Sequence, residues 1–484
     1  MTNKLINLLL LLSVIAISSC KSTVNQYDFQ AEFPENYRII DSLSGQDSTN
    51  IANINWEDFF NDPQLNALIE RGLENNFDIQ TALKDIEIYR LRHSQSKLEW
   101  LPDVSLNAAD VSYQFRSENF YSNPTAKWYA EKGTEPPTNM YTYTPQQSTS
   151  LQVSWELDIW GKLKRQQKQA LLSYLQTEEA QKAIRTSLIS EIAEGYYNLI
   201  LLHAQLEVAE TNYKLSENTY NLIELQYEAG EITALAKQQT MSQMLSAKAL
   251  IPSLKQQISL QENQLSFLLG SFPESFDLSY SKLENYYYND TLHSGIPLQL
   301  VQNRPDVKSA EYELRAMNEQ VGVSQAMQYP SIRISATGGV NAMLVENWFN
   351  IPGSLFGGLV GGITQPIFNK KRLKTNYETA LLERDKAEIE LQKQVNKAIN
   401  EVTEALIMVK TTDEQIDIAI EQVNNSSLAV RQANLLFNSG FATYLEVINA
   451  QRNALENQLS LNTLRKNKLV ARIQLYRALG GGWK

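Results

Sequence analysis

The chain has 484 residues, 20% charged and 43% hydrophobic, with a formal net charge of −11 at pH 7. That length allows two or three ordinary domains or one elongated one. The acidic balance excludes a general nucleic-acid binder, which needs a basic stripe to meet phosphates, so no nucleic-acid partner is expected.

The first element is a secretory signal. Lys4 is followed by an apolar run from Leu8 to Ile17 and then by Ser18-Ser19-Cys20. A basic start, about ten apolar residues and small residues before a break fit such a signal, and the run is too short to span a bilayer comfortably. Cys20 is the only cysteine in the sequence. Ile17-Ser18-Ser19-Cys20 resembles the bacterial lipobox, which makes residues 1–19 a lipoprotein signal peptide and Cys20 the acylated, lipid-held N-terminus of the mature chain. Lys21 is not the aspartate associated with inner-membrane retention in enteric bacteria, and no acidic run resembling a surface-export signal follows. Both absences favour the periplasmic side of the outer membrane. No later stretch approaches eighteen uncharged apolar residues, so the expected attachment is an anchor and not a membrane helix.

After an N-terminal extension over 20–62, the chain reads as two copies of one unit, 63–270 and 297–484, joined by a linker over 271–296. Asn76-Phe77-Asp78-Ile79 falls on Arg304-Pro305-Asp306-Val307 at a shift of 228, which also brings Pro102 onto Pro330 and Val104-Ser105-Leu106 onto Ile332-Arg333-Ile334. Further on, Tyr227-Glu228-Ala229-Gly230 matches Phe437-Asn438-Ser439-Gly440 and Leu268-Leu269-Gly270 matches Ala478-Leu479-Gly480, both at a shift of 210. Each copy runs in the same order: a helical segment (about 63–99 and 297–328), a proline break, two strands with a loop between them, and a long helical hairpin turning at Gly230 or Gly440.

The strands are predicted at about 104–115, 148–158, 331–341 and 356–367. They alternate apolar and polar positions, as in Leu151-Gln152-Val153-Ser154-Trp155-Glu156-Leu157, and each is near the roughly ten residues of a membrane-barrel strand. Four strands are too few, since a membrane barrel needs at least about eight, so strands that cross a membrane must be shared among chains. Gly357-Gly358 and Gly361-Gly362 lie inside the last strand and read as a bend or a close approach of backbones, not as a phosphate loop. In the first long helix, Ile192, Leu199, Leu206, Tyr213, Tyr220 and Tyr227 recur every seventh residue, with Leu202, Ala209 and Ile223 three positions behind members of that row. This predicts a heptad seam and a left-handed supercoil. No proline interrupts Lys370 to Ser439, a stretch that as helix would reach roughly 100 Å.

No chemistry is legible. The three histidines, His93, His203 and His293, stand far apart in none of the usual ligand spacings. No nucleophile elbow, P-loop or dinucleotide fingerprint appears. The expectation is a chain with no cofactor, no metal and no catalytic residues.

Trp56-Glu57-Asp58-Phe59-Phe60 with Asp62-Pro63-Gln64-Leu65 resembles the opening of the outer-membrane factor lipoproteins of the OprM/NodT branch of the TolC family. Trp155 through Lys162, Asn303 through Val307, Gln365-Pro366-Ile367-Phe368 and Ala450-Gln451-Arg452 continue the likeness in order over nearly the whole mature chain. The resemblance implies a mainly α protein with a membrane β part: a homotrimer whose four strands per protomer make a twelve-stranded outer-membrane barrel, continued by a periplasmic tunnel of twelve helices. It implies a passive exit duct of a tripartite efflux system, fed by an inner-membrane transporter, the resistance-nodulation-division type favoured, through a periplasmic adaptor that docks at the turns of Gly230 and Gly440. Type I protein secretion and a structural coiled-coil envelope lipoprotein are the alternatives. In OprM-like channels the constriction is a leucine and an acidic residue four positions on, which fall here on Leu445 and Asn449. The acid is absent. TolC places an aspartate one step past the leucine, and that column holds Glu446, so the implied gate comprises Leu445, Glu446 and Asn449, with Phe437 in a column where an aromatic residue helps lock the closed tip. Three-fold repetition would gather three Glu446 carboxylates into a cation-favouring ring and raise some of their pKa values.

Overall fold

The computed structural model describes residues 54–116, 128, 130–134, 142–277, 283 and 303–483. The signal peptide, Cys20, His293, most of the 271–296 linker, the start of the predicted 297–328 helix and the middle of the first strand loop lie outside the described residues. In chain order the elements are α1 (Trp56–Phe60), α2 (Pro63–Asn75), α3 (Phe77–Ser96), β1 (Asp103–Arg116), β2 (Thr142–Leu157), α4 (Lys162–Glu228), α5 (Ala234–Leu268), α6 (Pro305–Ala326), β3 (Ser331–Ala342), β4 (Leu355–Thr364), α7 (Arg372–Asn438) and α8 (Tyr444–Ala478).

The helical segment expected over about 63–99 is two helices, α2 and α3, preceded by α1, and the boundaries are chemically marked. Asn61 takes a left-handed conformation and ends α1, while the Asp62 carboxylate accepts from the Gln64 and Leu65 N–H groups at 2.9 and 3.3 Å and starts α2 with Pro63 at its first position. Asn76 then starts α3, its Oδ1 accepting from the N–H groups of Asp78 and Ile79 at 2.8 and 3.2 Å. β2 begins earlier than predicted, at Thr142, and β4 stops at Thr364 short of 367, where Pro366 has no N–H to donate to a ladder.

The duplication is visible element by element. At a shift of 210, α4 falls on α7 and α5 on α8 residue for residue; at 228, the start of β1 falls on the start of β3. The change of shift falls mainly in the strand hairpin, where the second repeat has the shorter loop and the shorter second strand. Equivalent contacts recur with different side chains. Asn76 Nδ2 donates to the Leu268 carbonyl at 2.9 Å, and Arg304 Nη1, its counterpart, donates to the Ala478 carbonyl at 3.1 Å. Gly270 and Gly480 both sit at positive φ, where a Cβ would strike the main chain of Asn75 at 2.1 Å and of Asn303 at 2.9 Å.

By contact the chain divides into two compact units. One holds the four strands with 90–102, the start of α4, the second half of α6 and the start of α7; the other holds the remaining helical segments. In the helical unit Tyr196, Tyr197, Leu65, Ile69, Ile192, Leu199 and Leu265 are fully buried, and the Tyr196 hydroxyl donates to Asp62 Oδ2 at 2.9 Å.

Of the predicted heptad seam, Leu202, Ala209 and Ile223 are buried, whereas the row of every seventh residue leaves the core after Leu199. Ile192 and Leu199 are buried, but Leu206, Tyr213 and Tyr220 are half-buried and Tyr227 is exposed. The interior line below Leu202 is Ala209, Asn212, Ser216, Thr219 and Ile223, spaced three and four apart as a heptad core requires. The period is as predicted and the row has shifted, because the true core positions carry small or polar side chains while large ones flank them. The flanking tyrosines lay their rings along the helix and send their hydroxyls outward, Tyr213 to Glu217 at 2.6 Å and Tyr220 to Glu224 at 3.0 Å.

Candidate functional site

Two features outside the core invite a functional reading: the strand sheet and the hairpin turns. The sheet has the order β1-β2-β3-β4, antiparallel throughout, so β1 and β4 each have one partner and one open edge. Direct partners share a face. Val104 faces Val153, Val153 faces Ala336 and Ala336 faces Leu359, and the same face carries Leu106, Leu151, Ile334 and Ile363. The opposite face carries Ser105, Gln152, Thr337 and, at one end, Glu156 across from Arg333, whose Nη2 lies 3.6 Å from that carboxylate. The apolar face is uncovered: Leu106 is 65% exposed, Leu359 76% and Ile363 72%. A contiguous apolar sheet face in water is unfavourable and marks a surface meant for lipid or another chain.

Of the bend or close approach expected at the glycine pairs of β4, the close approach is absent in the single chain. A Cβ at Gly358, Gly361 or Gly362 would meet nothing within 4 Å, because β4 is an open edge in the single chain. The close approach occurs in β3, where a Cβ on Gly339 would lie 2.1 Å from the Thr149 carbonyl oxygen.

The turns at Gly230 and Gly440 are closed alike. Both glycines have positive φ, 74° and 75°. Glu231 N–H reaches back to the Gln226 carbonyl at 2.9 Å and Phe441 N–H to the Leu436 carbonyl at 2.8 Å, which satisfies carbonyls left over at the helix ends. The first hairpin is tied by an ionic ladder: Tyr220 donates to Glu224, and Lys237 Nζ lies 2.9 Å from Glu224 and 5.3 Å over the Tyr227 ring. At a shift of 210 these positions hold Val430, Asn434, Val447 and Phe437, so the second hairpin lacks that ladder.

All four predicted gate residues lie at the second turn. Leu445, Glu446 and Asn449 are exposed on the first turns of α8, Val447 turns inward, and Phe437 is half-buried at the end of α7. Asn449 Oδ1 accepts from Arg452 Nη2 at 3.4 Å. Glu446 also caps its own helix, since its carboxylate accepts from the Thr443 N–H at 2.9 Å and from the Thr443 hydroxyl, forming a capping box. Those bonds hold its pKa below the usual carboxylate range, so it stands as a fixed negative charge at neutral pH. This cap is not among the sequence-based expectations, although Thr443-x-x-Glu446 carries its signature. Nor is the bond from the Tyr444 hydroxyl to Gln239 Oε1, which links the second helices of the two hairpins and has no sequence signal, the partners being 205 residues apart.

Among the described residues, no group of His, Cys, Asp or Glu is placed to hold a metal ion, and no helix is long and apolar enough to cross a membrane. His203 is exposed on α4, and His93 is half-buried. Burial, then the charge of Lys97, pushes the His93 pKa down.

The model of the family described as outer membrane efflux protein matches residues 68–271 and 296–481. The cation efflux system protein CusC of Escherichia coli O6:H1 is 27% identical over 474 residues, 97% of each chain. The toluene efflux pump outer membrane protein TtgF of Pseudomonas putida is 29% identical over 477 residues, 97% of this chain and 95% of the relative. The crystal structure of the CmeC outer membrane channel of Campylobacter jejuni superposes with a TM-score of 0.84, covering 96% of this chain and 95% of that one at 21% identity, a likeness of fold.

Proposed function

The chain belongs to the outer membrane efflux protein family, and from that premise we propose that three copies share one barrel and form the passive exit duct of a tripartite efflux system. The protein is an outer-membrane efflux channel component. The observation that carries the trimer is the sheet: four strands with two open edges and one uncovered apolar face. Open edges cannot stay in lipid, because unpaired N–H and C=O groups there cost several kcal/mol each. Three copies joined edge to edge leave none and give twelve strands, within the range of membrane barrels.

The same reading gives α4, α5, α7 and α8 to a periplasmic tunnel. It places an adaptor at the turns of Gly230 and Gly440, an inner-membrane transporter beyond it, and acylated Cys20 in the lipid. Leu445, Glu446 and Asn449 then line the constriction, supported by their exposure beside inward-facing Val447, and Phe437 packs behind them. The duct performs no catalytic step. Two relatives named for different cargo, cations and toluene, match at similar identity, which supports selection of cargo by the pump and a permissive duct.

The test is native mass determination of the full chain extracted from membranes, followed by conductance in planar bilayers. A trimer that opens pores is expected. A monomer, or a trimer without conductance, overturns the proposal.

A further inference from the structure

We infer that Ile367 and Phe368 of one protomer pack against Leu98, Trp100 and Leu101 of the next, forming an apolar clasp just beyond the seam where β4 of one copy meets β1 of its neighbour. The inference rests on the shared-barrel reading and adds the contact that sets which edges join and in which register.

The register places both sites at one end of the sheet. Asp103 pairs with Ser154 near the end of β2, Leu157 pairs with Ile332 at the start of β3, and Ser331 pairs with Thr364 at the end of β4. The segment entering β1 and the segment leaving β4 therefore emerge on the same side, at opposite edges. Both carry large apolar side chains in water: Ile367 is 96% exposed, Phe368 85%, Leu98 61%, Trp100 59% and Leu101 43%. β4 runs antiparallel to the neighbouring copy's β1 when the ring closes in the alternating order of the sheet, and closure brings these two segments together.

The chain carries its own template for this contact. Between the repeats, the segment leaving β2 meets the segment entering β3, and there Trp160 stacks on Tyr329 at 4.9 Å and donates its Nε1–H to the Pro330 carbonyl at 2.7 Å. Tyr329-Pro330 corresponds to Leu101-Pro102 at the shift of 228. The segment after β4 holds the same place in the duplicated order as the segment after β2 but is three residues longer, so Trp160 falls on Lys370 at the shift of 210 and Phe368 is the aromatic residue that the segment offers. The β2–β3 seam inside one chain and the β4–β1 seam between chains are thus repeats of one junction. The first is closed by an aromatic ring on a pre-proline residue, and the second has both halves exposed and waiting for a copy of the chain.

The experiment uses the full-length chain in membranes with Leu101→Cys and Phe368→Cys introduced together, treated with a short bis-maleimide. The expected result is a shift of the monomer band to linked dimers and trimers that neither single substitution produces. A native-mass trimer with no such link, or with a link confined within one chain, overturns the clasp and leaves the shared barrel standing. A monomeric native chain overturns both. As a second readout, Ile367→Ser with Phe368→Ser should lower the temperature at which the trimer dissociates, whereas Trp128→Ser, on the strand loop, should not; equal behaviour of the two variants overturns the clasp.

Discussion

Arg304 is 5% exposed, yet it is charged, and its surroundings explain how that is tolerated. Its guanidinium reaches Asp306 Oδ2 at 2.6 Å, Glu401 Oε2 at 2.7 Å and the Ala478 carbonyl at 3.1 Å, tying the start of α6 to α7 and to the end of α8. Burial alone would raise the Asp306 pKa, but the hydrogen bonds and charge of Arg304 outweigh it and hold it down. A depressed carboxylate stabilises the fold above its unfolded pKa, and that stability is lost as pH falls through the folded value, here below about pH 4. Arg304→Met removes the counter-charge and leaves two partly buried carboxylates. A loss of about 3 kcal/mol is expected, at the lower end for a broken buried pair because both carboxylates keep some solvent. The sign of the pH dependence should also reverse, since burial would then raise the Asp306 pKa and make the variant less stable as pH rises from 4 to 7; thermal unfolding in detergent across that range reads both effects. Asn303 to Val307 stood out in the sequence through the internal repeat and the resemblance, but its ion pairs did not, because Glu401 and Ala478 are 97 and 174 residues away from Arg304. Glu446 differs: its cap was legible four residues wide, and the cap lowers the pKa that a three-fold ring would raise. Glu446→Gln keeps an acceptor for the Thr443 N–H and removes the charge, so reconstituted channels should lose cation preference while thermal stability is little changed. Unaltered selectivity would show that Glu446 serves the helix end only.

At the scale of elements, period was legible and position was not always. The strands were found within three residues at every end but the start of β2, because alternation sets a face: Leu151 and Gln152 point oppositely whatever the partner strand. The helical seam was right at Leu202, Ala209 and Ile223 and wrong along the tyrosine row, because size was taken as the mark of the core, whereas Asn212, Ser216 and Thr219 occupy it and the larger Tyr213 and Tyr220 flank it. Side-chain volume follows available space, and closely packed helices leave little. The faces of the sheet can be tested directly. Leu359 lies on the uncovered apolar face, and an arginine there should cost roughly 2–4 kcal/mol if it meets the bilayer midplane. Gln152 lies on the polar face, and Gln152→Arg should be tolerated. Comparing the amounts of folded, heat-modifiable protein that the two variants leave in the outer membrane checks the assignment. Equal depletion would mean that the sheet does not present one face to lipid.

At the scale of the whole molecule, two devices could hold the chain in the membrane, and they can be separated. A lipobox cysteine receives a diacylglyceryl group and an N-acyl chain, so acylation of Cys20 would bury several hydrocarbon chains at about 0.8 kcal/mol per methylene, enough to anchor the chain without crossing the bilayer. A closed twelve-stranded barrel is held by every strand at once, since withdrawing one would expose its backbone groups to hydrocarbon. On the shared-barrel reading the lipid would gather protomers at the bilayer before the barrel closes, and the closed barrel would hold them there without it. A purely coiled-coil lipoprotein would depend on the lipid entirely. Exporting the chain behind a signal peptide of the non-lipoprotein kind, with Cys20→Ser, separates the two cases. The variant should incorporate no radiolabelled palmitate and should assemble more slowly in a pulse-chase, yet the trimer that forms should stay with the membranes through a carbonate wash. Release of the variant into the soluble fraction would assign membrane attachment to the acyl chains and remove the sheet from the bilayer.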